Sequence, residues 1–285
     1  MKASSPGTVP RSTGFRAFFD DAALFPPGDA PMAEAVPRHR DHHAAWYGDT
    51  VGPFVCPRGR LGELHDLLTG DGPALDVALT VPEGPEALAA GVAEATAHPR
   101  VRLRAVELPA GRSQGALETL AETAGAAVPR DVTVYAEVAL DPDALRAIPA
   151  LAGTGLRLKF RTGGVRADAF PGEPALAAAL TCAVRHAIPF KLTAGLHHAI
   201  RHTDPRTGFE HHGFLNVLAA TDAARQGADE AAVSAVLACR EAETVAGRCT
   251  PERVAAARQS FVSFGTCSIE EPVADLIALR LLERA

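Results

Sequence analysis

Leu156-Arg-Leu-Lys-Phe-Arg161 alternates apolar and basic residues with a period of two. Successive side chains of a β-strand point to opposite faces, so Leu156, Leu158 and Phe160 belong to one face and Arg157, Lys159 and Arg161 to the other. The same parity in Asp131-Val-Thr-Val-Tyr-Ala-Glu-Val-Ala139 sets Val132, Val134, Ala136 and Val138 against Thr133, Tyr135 and Glu137. In Phe190-Lys-Leu-Thr193 it sets Lys191 and Thr193 against Phe190 and Leu192. Strands with one apolar and one charged face fit a parallel barrel, in which the apolar faces meet an outer helical layer and the charged faces line the lumen. Buried charges are costly unless paired, and Glu137 is the obvious partner for these cations.

Outward from these strands, short β-like runs at 53–56, 75–81, 101–108 and 261–265 alternate with Ala/Leu/Glu-rich stretches of helical period. Such alternation marks βα units. An eighth strand fits within 15–25, ahead of the Pro26-Pro27-Gly28 break. The expected fold is α/β, a (β/α)8 TIM barrel with an enlarged helical connection between the last two strands. Residues 1–14 are expected to be a disordered N-terminal segment and residues 15–285 a single barrel domain. An open doubly wound sheet is the other topology, but no Gly-rich dinucleotide fingerprint follows the early strands. The long connection predicts three helices: one over 212–226, reaching away from the mouth, one over 228–246, and one opened by Thr250-Pro251-Glu252.

The 285 residues carry a net charge of −6 without a basic run, which argues against nucleic acid as a main partner. No apolar run has the roughly 18 residues of a membrane span, and no signal-peptide core is present. These features point to a cytoplasmic protein acting on a small molecule, not on a membrane, and leave homo-oligomer formation open. Five cysteines without a CxxC pair indicate reduced thiols, neither a disulfide frame nor a thiolate zinc site.

Of the 28 basic residues only three are lysines: Lys2, Lys159 and Lys191. A chain that otherwise uses arginine keeps lysine at two adjacent strand ends. There the two residues differ chemically, because a desolvated lysine, or one beside another cation, can lose its proton and form a Schiff base, whereas arginine cannot. A structural ion-pair network among Glu137, Lys159, Arg161 and Lys191 is the alternative.

Lys159-Phe-Arg-Thr-Gly163, Lys191-Leu-Thr-Ala-Gly195 and Phe264-Gly-Thr-Cys-Ser268 resemble the last three strands of class I aldolases of the deoxyribose-phosphate aldolase type. Tyr135-Ala-Glu137 resembles that family's fifth strand, and the similarity spans roughly residues 132–268. The resemblance implies that Lys159 is the Schiff-base lysine and Lys191 the neighbouring cation that favours its neutral amine. It implies no cofactor. Two departures are informative. Leu196-His197-His198 stands where the family has a glycine-rich phosphate loop, and Arg161 stands in place of a small hydroxyl residue, adding a cation suited to a carboxylate.

His197, His198, His202, His211 and His212 follow the strand of Lys191 closely. Imidazole serves as metal ligand or as general acid/base, so both uses are open. A divalent metal such as zinc would take one histidine from each pair, for example His198 and His212, with a carboxylate such as Glu210, Glu270 or Glu271. Without metal, His197 and His198 join Lys159, Lys191 and Glu137 as candidate catalytic residues. Arg161, Tyr135, His211, His212 and Ser268 are then candidate substrate-binding residues. Ser268 also reads as the N-cap of the last helix, with Glu271 as capping-box acid, and the start of that helix can hold an anionic group. His39, His42 and His43, beside Arg38 and Arg40, read as a solvated face.

The leading expectation is therefore a lyase or aldolase-like enzyme acting on a small, anionic carbonyl compound. A metal-dependent hydrolase or lyase built on the histidines is the second, and a non-catalytic small-anion binding protein the third.

Overall fold

A computed structural model describes residues 14–69 and 72–284. Residues 1–13 of the expected disordered segment lie outside the described residues. Eight parallel strands close into a barrel: β1 (Phe19–Asp21), β2 (Val51–Pro57), β3 (Leu75–Thr80), β4 (Val101–Pro109), β5 (Thr133–Glu137), β6 (Arg157–Arg161), β7 (Phe190–Thr193) and β10 (Phe261–Thr266). They follow chain order around the ring, and β10 closes it against β1. The fold is the expected (β/α)8 barrel, an architecture that commonly hosts enzymes, with sites at the carboxyl ends of the strands.

Among the outer helices are α1 (Met32–Ala44), α2 (Leu61–Leu67), α3 (Leu88–Thr96), α4 (Gln114–Ala127), α5 (Pro142–Ala147) and α6 (Glu173–Arg185). The main core lies between these helices and the barrel, where Leu158, Phe160, Phe190 and Leu192 are fully buried. The lumen holds a second, small cluster of Ala22, Val55, Ala78, Ala105 and Tyr135. Three alanines in that layer leave room for long charged side chains from β4, β6 and β7.

The connection from β7 to β10 begins with a hairpin, β8 (His202–Thr203) paired to β9 (Glu210–His211). Four helices follow instead of three: α7 (Phe214–Arg225), α8 (Glu230–Ala238), α9 (Ala242–Gly247) and α10 (Pro251–Ala257). The expected helix over 228–246 breaks at Cys239, because the carbonyls of Val236 and Cys239 turn to accept from the buried amide of Asn216. As expected, α7 runs away from the mouth: it starts beside the loop after β7, where Phe214 N–H donates to the His198 carbonyl, and ends at the amino end of β10, where Arg225 donates to Ser260. Phe214 packs edge-on or stacked against Phe18, Phe19 and Phe264, with ring centres 5.2 to 6.3 Å apart, so α7 is buried against the barrel wall.

The last helix, α11 (Glu270–Ala278), starts just after Ser268, whose hydroxyl accepts from the Glu271 N–H. The capping box is not completed, since the Glu271 carboxylate pairs with His197. The expected solvated face of α1 holds for Arg38 and His43, which are exposed, but not for the other two histidines. His39 and His42 are buried, His39 Nδ1 meeting Asp21 Oδ2 at 2.9 Å and His42 Nδ1 meeting the Tyr47 hydroxyl at 3.0 Å. Among the described residues no helix is long and apolar enough to cross a membrane.

Candidate active site

Strand parity on β5, β6 and β7 runs as expected, and Lys159 and Lys191, which are register partners, both turn into the lumen. There they meet a carboxylate that the alternation did not reveal. Lys159 Nζ lies 2.8 Å from Glu107 Oε2 and 2.9 Å from Glu137 Oε2. Lys191 Nζ takes the other oxygen of Glu107 and lies 2.5 Å from Asp20 Oδ2. Ser263 donates to the same Asp20 oxygen at 2.8 Å, and Arg161 donates to Glu137 at 3.1 Å. The lumen thus contains an unbroken chain of alternating charge: Asp20, Lys191, Glu107, Lys159, Glu137, Arg161.

Burial alone would raise the carboxyl pKa of Glu107, but the Lys159 and Lys191 charges outweigh it and hold Glu107 at about 2. Burial alone would strip the proton from Lys191, yet Asp20 and Glu107 outweigh it and push the ammonium up. Lys191 is accordingly a fixed cation. Burial pushes the Asp20 carboxyl up, against the opposing pull of Lys191. For Glu137, the charges of Lys159 and Arg161 overcome burial and lower the carboxyl.

The two lysines face different ends of the barrel. A cavity of about 350 Å³ at the carboxyl ends of the strands has Lys159 and Glu107 in its floor and Arg161, Val165, His197 and Cys267 around its rim. Lys191 instead lines a cavity of about 180 Å³ towards the amino ends, together with Asp20, Tyr135 and Arg157. Tyr135 therefore does not line the mouth. Its ring lies 5.3 Å from Lys191 Nζ, and its hydroxyl accepts from Arg157 at 3.4 Å.

The glycines four residues after each lysine have a steric cause. A Cβ on Gly163 would come within 2.8 Å of Gly195 Cα and 2.9 Å of the Phe170 ring. Gly195 itself has φ +73°, a region that L side chains rarely adopt. The loops after β6 and β7 thus touch backbone to backbone, which aligns the two lysine strands.

His197 stands at the rim, shared by the mouth cavity and an adjoining cavity of about 540 Å³. Its Nδ1 lies 2.9 Å from Glu271 Oε2, and Cys267 Sγ is 3.9 Å from either ring nitrogen. Burial would lower the imidazole pKa, but its bonds to Cys267 and Glu271 raise it to about 9. His197 is therefore a cation at neutral pH. His198, His202 and His211 line the adjoining cavity, as does Ser268.

His212 does not join them, so the expected pairing with His198 does not form. It is fully buried, with Nε2 2.8 Å from the Pro171 carbonyl and Nδ1 3.2 Å from Arg201, and burial pushes its pKa down to about 4. Arg201, which the sequence did not single out, ties the base of the hairpin to α6 through Glu173 at 2.8 Å and to Glu210 at 3.1 Å. Of the other carboxylates considered for a metal, Glu271 is held by His197, while Glu270 lies 3.6 Å from His42.

No protein-family model matches the chain, and no curated protein matches it.

Proposed function

We propose that the chain is a class I aldolase-like lyase, in which Lys159 forms a Schiff base with a small carbonyl compound carrying a carboxylate. The observation that carries this is the division of labour between the lysines: Lys159 lies in the floor of the mouth cavity, whereas Lys191 lies beneath it, clamped by Asp20 and Glu107. One is reachable by substrate and the other supplies fixed positive charge.

As the carbonyl compound enters, Lys159 passes a proton to Glu137, 2.9 Å away, and the free amine adds to the carbonyl carbon. Glu137 returns that proton to the carbinolamine oxygen, which leaves as water, and the resulting iminium carries the same single positive charge as the ammonium it replaces. Glu107 and Glu137 therefore remain paired, and no buried carboxylate is stranded. Loss of an α-proton to Glu137 gives the enamine. In the condensation direction the enamine carbon attacks an aldehyde, a C–C bond forms, and cationic His197 donates its proton to the developing alkoxide. Water then hydrolyses the iminium to the carbonyl product and the Lys159 ammonium, and solvent carries the α-proton from Glu137 back to His197. Arg161, half exposed at the rim, is placed to hold the carboxylate by exchanging Glu137 for it.

Reversible enamine formation exchanges the α-protons of the bound carbonyl compound with solvent. Pyruvate, acetaldehyde, acetone and 2-oxobutyrate, incubated with the protein in deuterium oxide, should show enzyme-dependent α-deuteration by NMR for at least one compound. No exchange above the buffer rate with any of them, together with ligand-induced thermal stabilisation, would favour a non-catalytic anion-binding protein.

A further inference from the structure

We propose that the cavity beside the Lys159 pocket is a subsite for a planar aromatic ring carrying a hydrogen-bond donor, a phenol or an aromatic amine. On the Schiff-base reading above, on which this part rests, the ring is the far end of the aldehyde that the enamine attacks. Binding of the ring itself does not require that reading.

Five rings form a continuous wall. Phe209 packs against Phe170 with ring centres 5.3 Å apart, Phe170 against His211 at 4.5 Å, His211 against His202 at 5.2 Å, and His202 against His198 at 4.8 Å. All five are half-buried and border the same cavity of about 540 Å³, within the about 300–1,000 Å³ of small-molecule sites. Nine of the twelve phenylalanines are buried in the core, so Phe170 and Phe209 are exceptions that keep ring surface open here. Gly163 and Gly195 make room for this wall, since a Cβ on either would come within 2.9 or 3.1 Å of the Phe170 ring. A further flat ring laid against the wall extends the same packing, which aromatic pairs favour at such spacings.

The polar groups of the wall select the substituent. His202 Nδ1 lies 3.1 Å from the Ile200 carbonyl and His211 Nδ1 3.2 Å from the Gly195 carbonyl. A carbonyl only accepts, so in each neutral ring Nδ1 carries the proton and Nε2 is an acceptor. Among the described residues neither Nε2 has a hydrogen-bond partner, and burial together with His202 pushes the His211 imidazole down, away from a second proton. These acceptors call for a ligand that donates. An ammonium would meet cationic His197 and Arg206 in the same cavity, whereas a carboxylate or phosphate would find those two already paired with Glu271 and Asp204. A polyol would bring more hydroxyls than two acceptors can pair, leaving the rest desolvated against the rings. One phenolic hydroxyl or aromatic amine satisfies the set.

The two cavities share Val165, Ala194, His197 and Cys267. An aldehyde attached to the bound ring thus reaches past His197, the proton donor, towards Lys159.

The test uses probes without a carbonyl: p-cresol, 4-methylanisole, 4-methylcyclohexanol and ribitol, each titrated into the full-length protein and followed by saturation-transfer NMR. p-Cresol should bind roughly tenfold more tightly than 4-methylanisole, which lacks the donor, and than 4-methylcyclohexanol, which lacks the flat face. Phe209→Leu and His211→Leu should each weaken p-cresol at least fivefold, and His98→Gln, in the remote His65–His98 stack, should leave it unchanged. Equal binding of p-cresol and 4-methylanisole, tighter binding of ribitol, or unchanged binding by both wall variants with native circular dichroism would overturn the subsite. The α-deuteration assay reads Lys159 separately: exchange without p-cresol binding overturns the subsite alone, and p-cresol binding without exchange supports the subsite while removing the aldolase reading.

Discussion

Lys159 and Lys191 are register partners on adjacent parallel strands, and their ammonium groups take opposite oxygens of the Glu107 carboxylate. One anion between two cations keeps the lysines adjacent without direct repulsion. It also makes each substitution in the lumen a statement about its neighbours.

Lys191→Met should destabilise the fold by about 3–5 kcal/mol, the cost of leaving a buried ion without its partner. Asp20 loses the ammonium it is ion-paired with, whereas Glu107 keeps Lys159. Adding Asp20→Asn should therefore recover part of the loss, and a urea double-mutant cycle should read a coupling of about 0.5–3 kcal/mol.

Stability should fall on both sides of a maximum near pH 6.5. Glu107 is depressed from 4.5 to about 2, so its contribution is present above pH 4.5 and is lost as pH falls towards 2. His212, lowered from 6.5 to about 4, contributes above pH 6.5 and loses that contribution as pH falls through 4. Asp20, raised by burial, works in the opposite sense and softens the acid limb. His197 is raised from 6.5 to about 9, so its contribution is complete below 6.5 and is lost as pH rises through 9. Urea midpoints against pH should show both limbs, and His197→Gln should flatten the alkaline one alone.

Arg161→Ala should weaken binding of carbonyl acids roughly 10- to 100-fold, the equivalent of one charge-assisted hydrogen bond, and change neutral carbonyl compounds much less. Half-saturation in the deuterium-exchange assay, compared for pyruvate and acetone, measures the difference. Equal effects on both would assign Arg161 to Glu137 alone.

Gly163→Ala should cost about 1–3 kcal/mol by overpacking against Gly195 and Phe170, and should slow exchange by parting the β6 and β7 loops. Gly59, where an added Cβ meets nothing within 4 Å, is the control, and Gly59→Ala should stay within about 0.5 kcal/mol of the native chain.

The barrel and the inward lysines were legible because β5, β6 and β7 pair without an irregularity, so simple alternation assigns their faces. Glu107 was not, and the reason is a bulge. In β4, Leu103 pairs with Val77 and Ala105 with Ala78, leaving Arg104 as an extra residue. Alternation from Val101 and Leu103, both in the outer core, would turn Glu107 outward, but the extra residue brings it into the lumen. Val262 does the same in β10, sending Ser263 to Asp20 although Phe261 faces the helices. Asp20 was visible only as one of two adjacent aspartates. The chain turns it inward to Lys191 and Asp21 outward to His39, and only the closed ring shows which is which. The histidine cluster was plain in the sequence, but sorting it was not. His202 faces His211 because of a hairpin that two-residue strands do not announce, and His212 is withdrawn by Arg201 and the Pro171 carbonyl, remote in the chain.

The central claim is that Lys159 is a nucleophile and not merely a charge in a network. The most direct measurement is sodium borohydride reduction of the protein in the presence of the exchanging carbonyl compound, followed by peptide mapping by mass spectrometry. The expected result is one reduced adduct per chain on Lys159, absent from Lys159→Arg, with Lys191 unmodified. An adduct on Lys191, or none on either lysine while the α-protons still exchange, would contradict it.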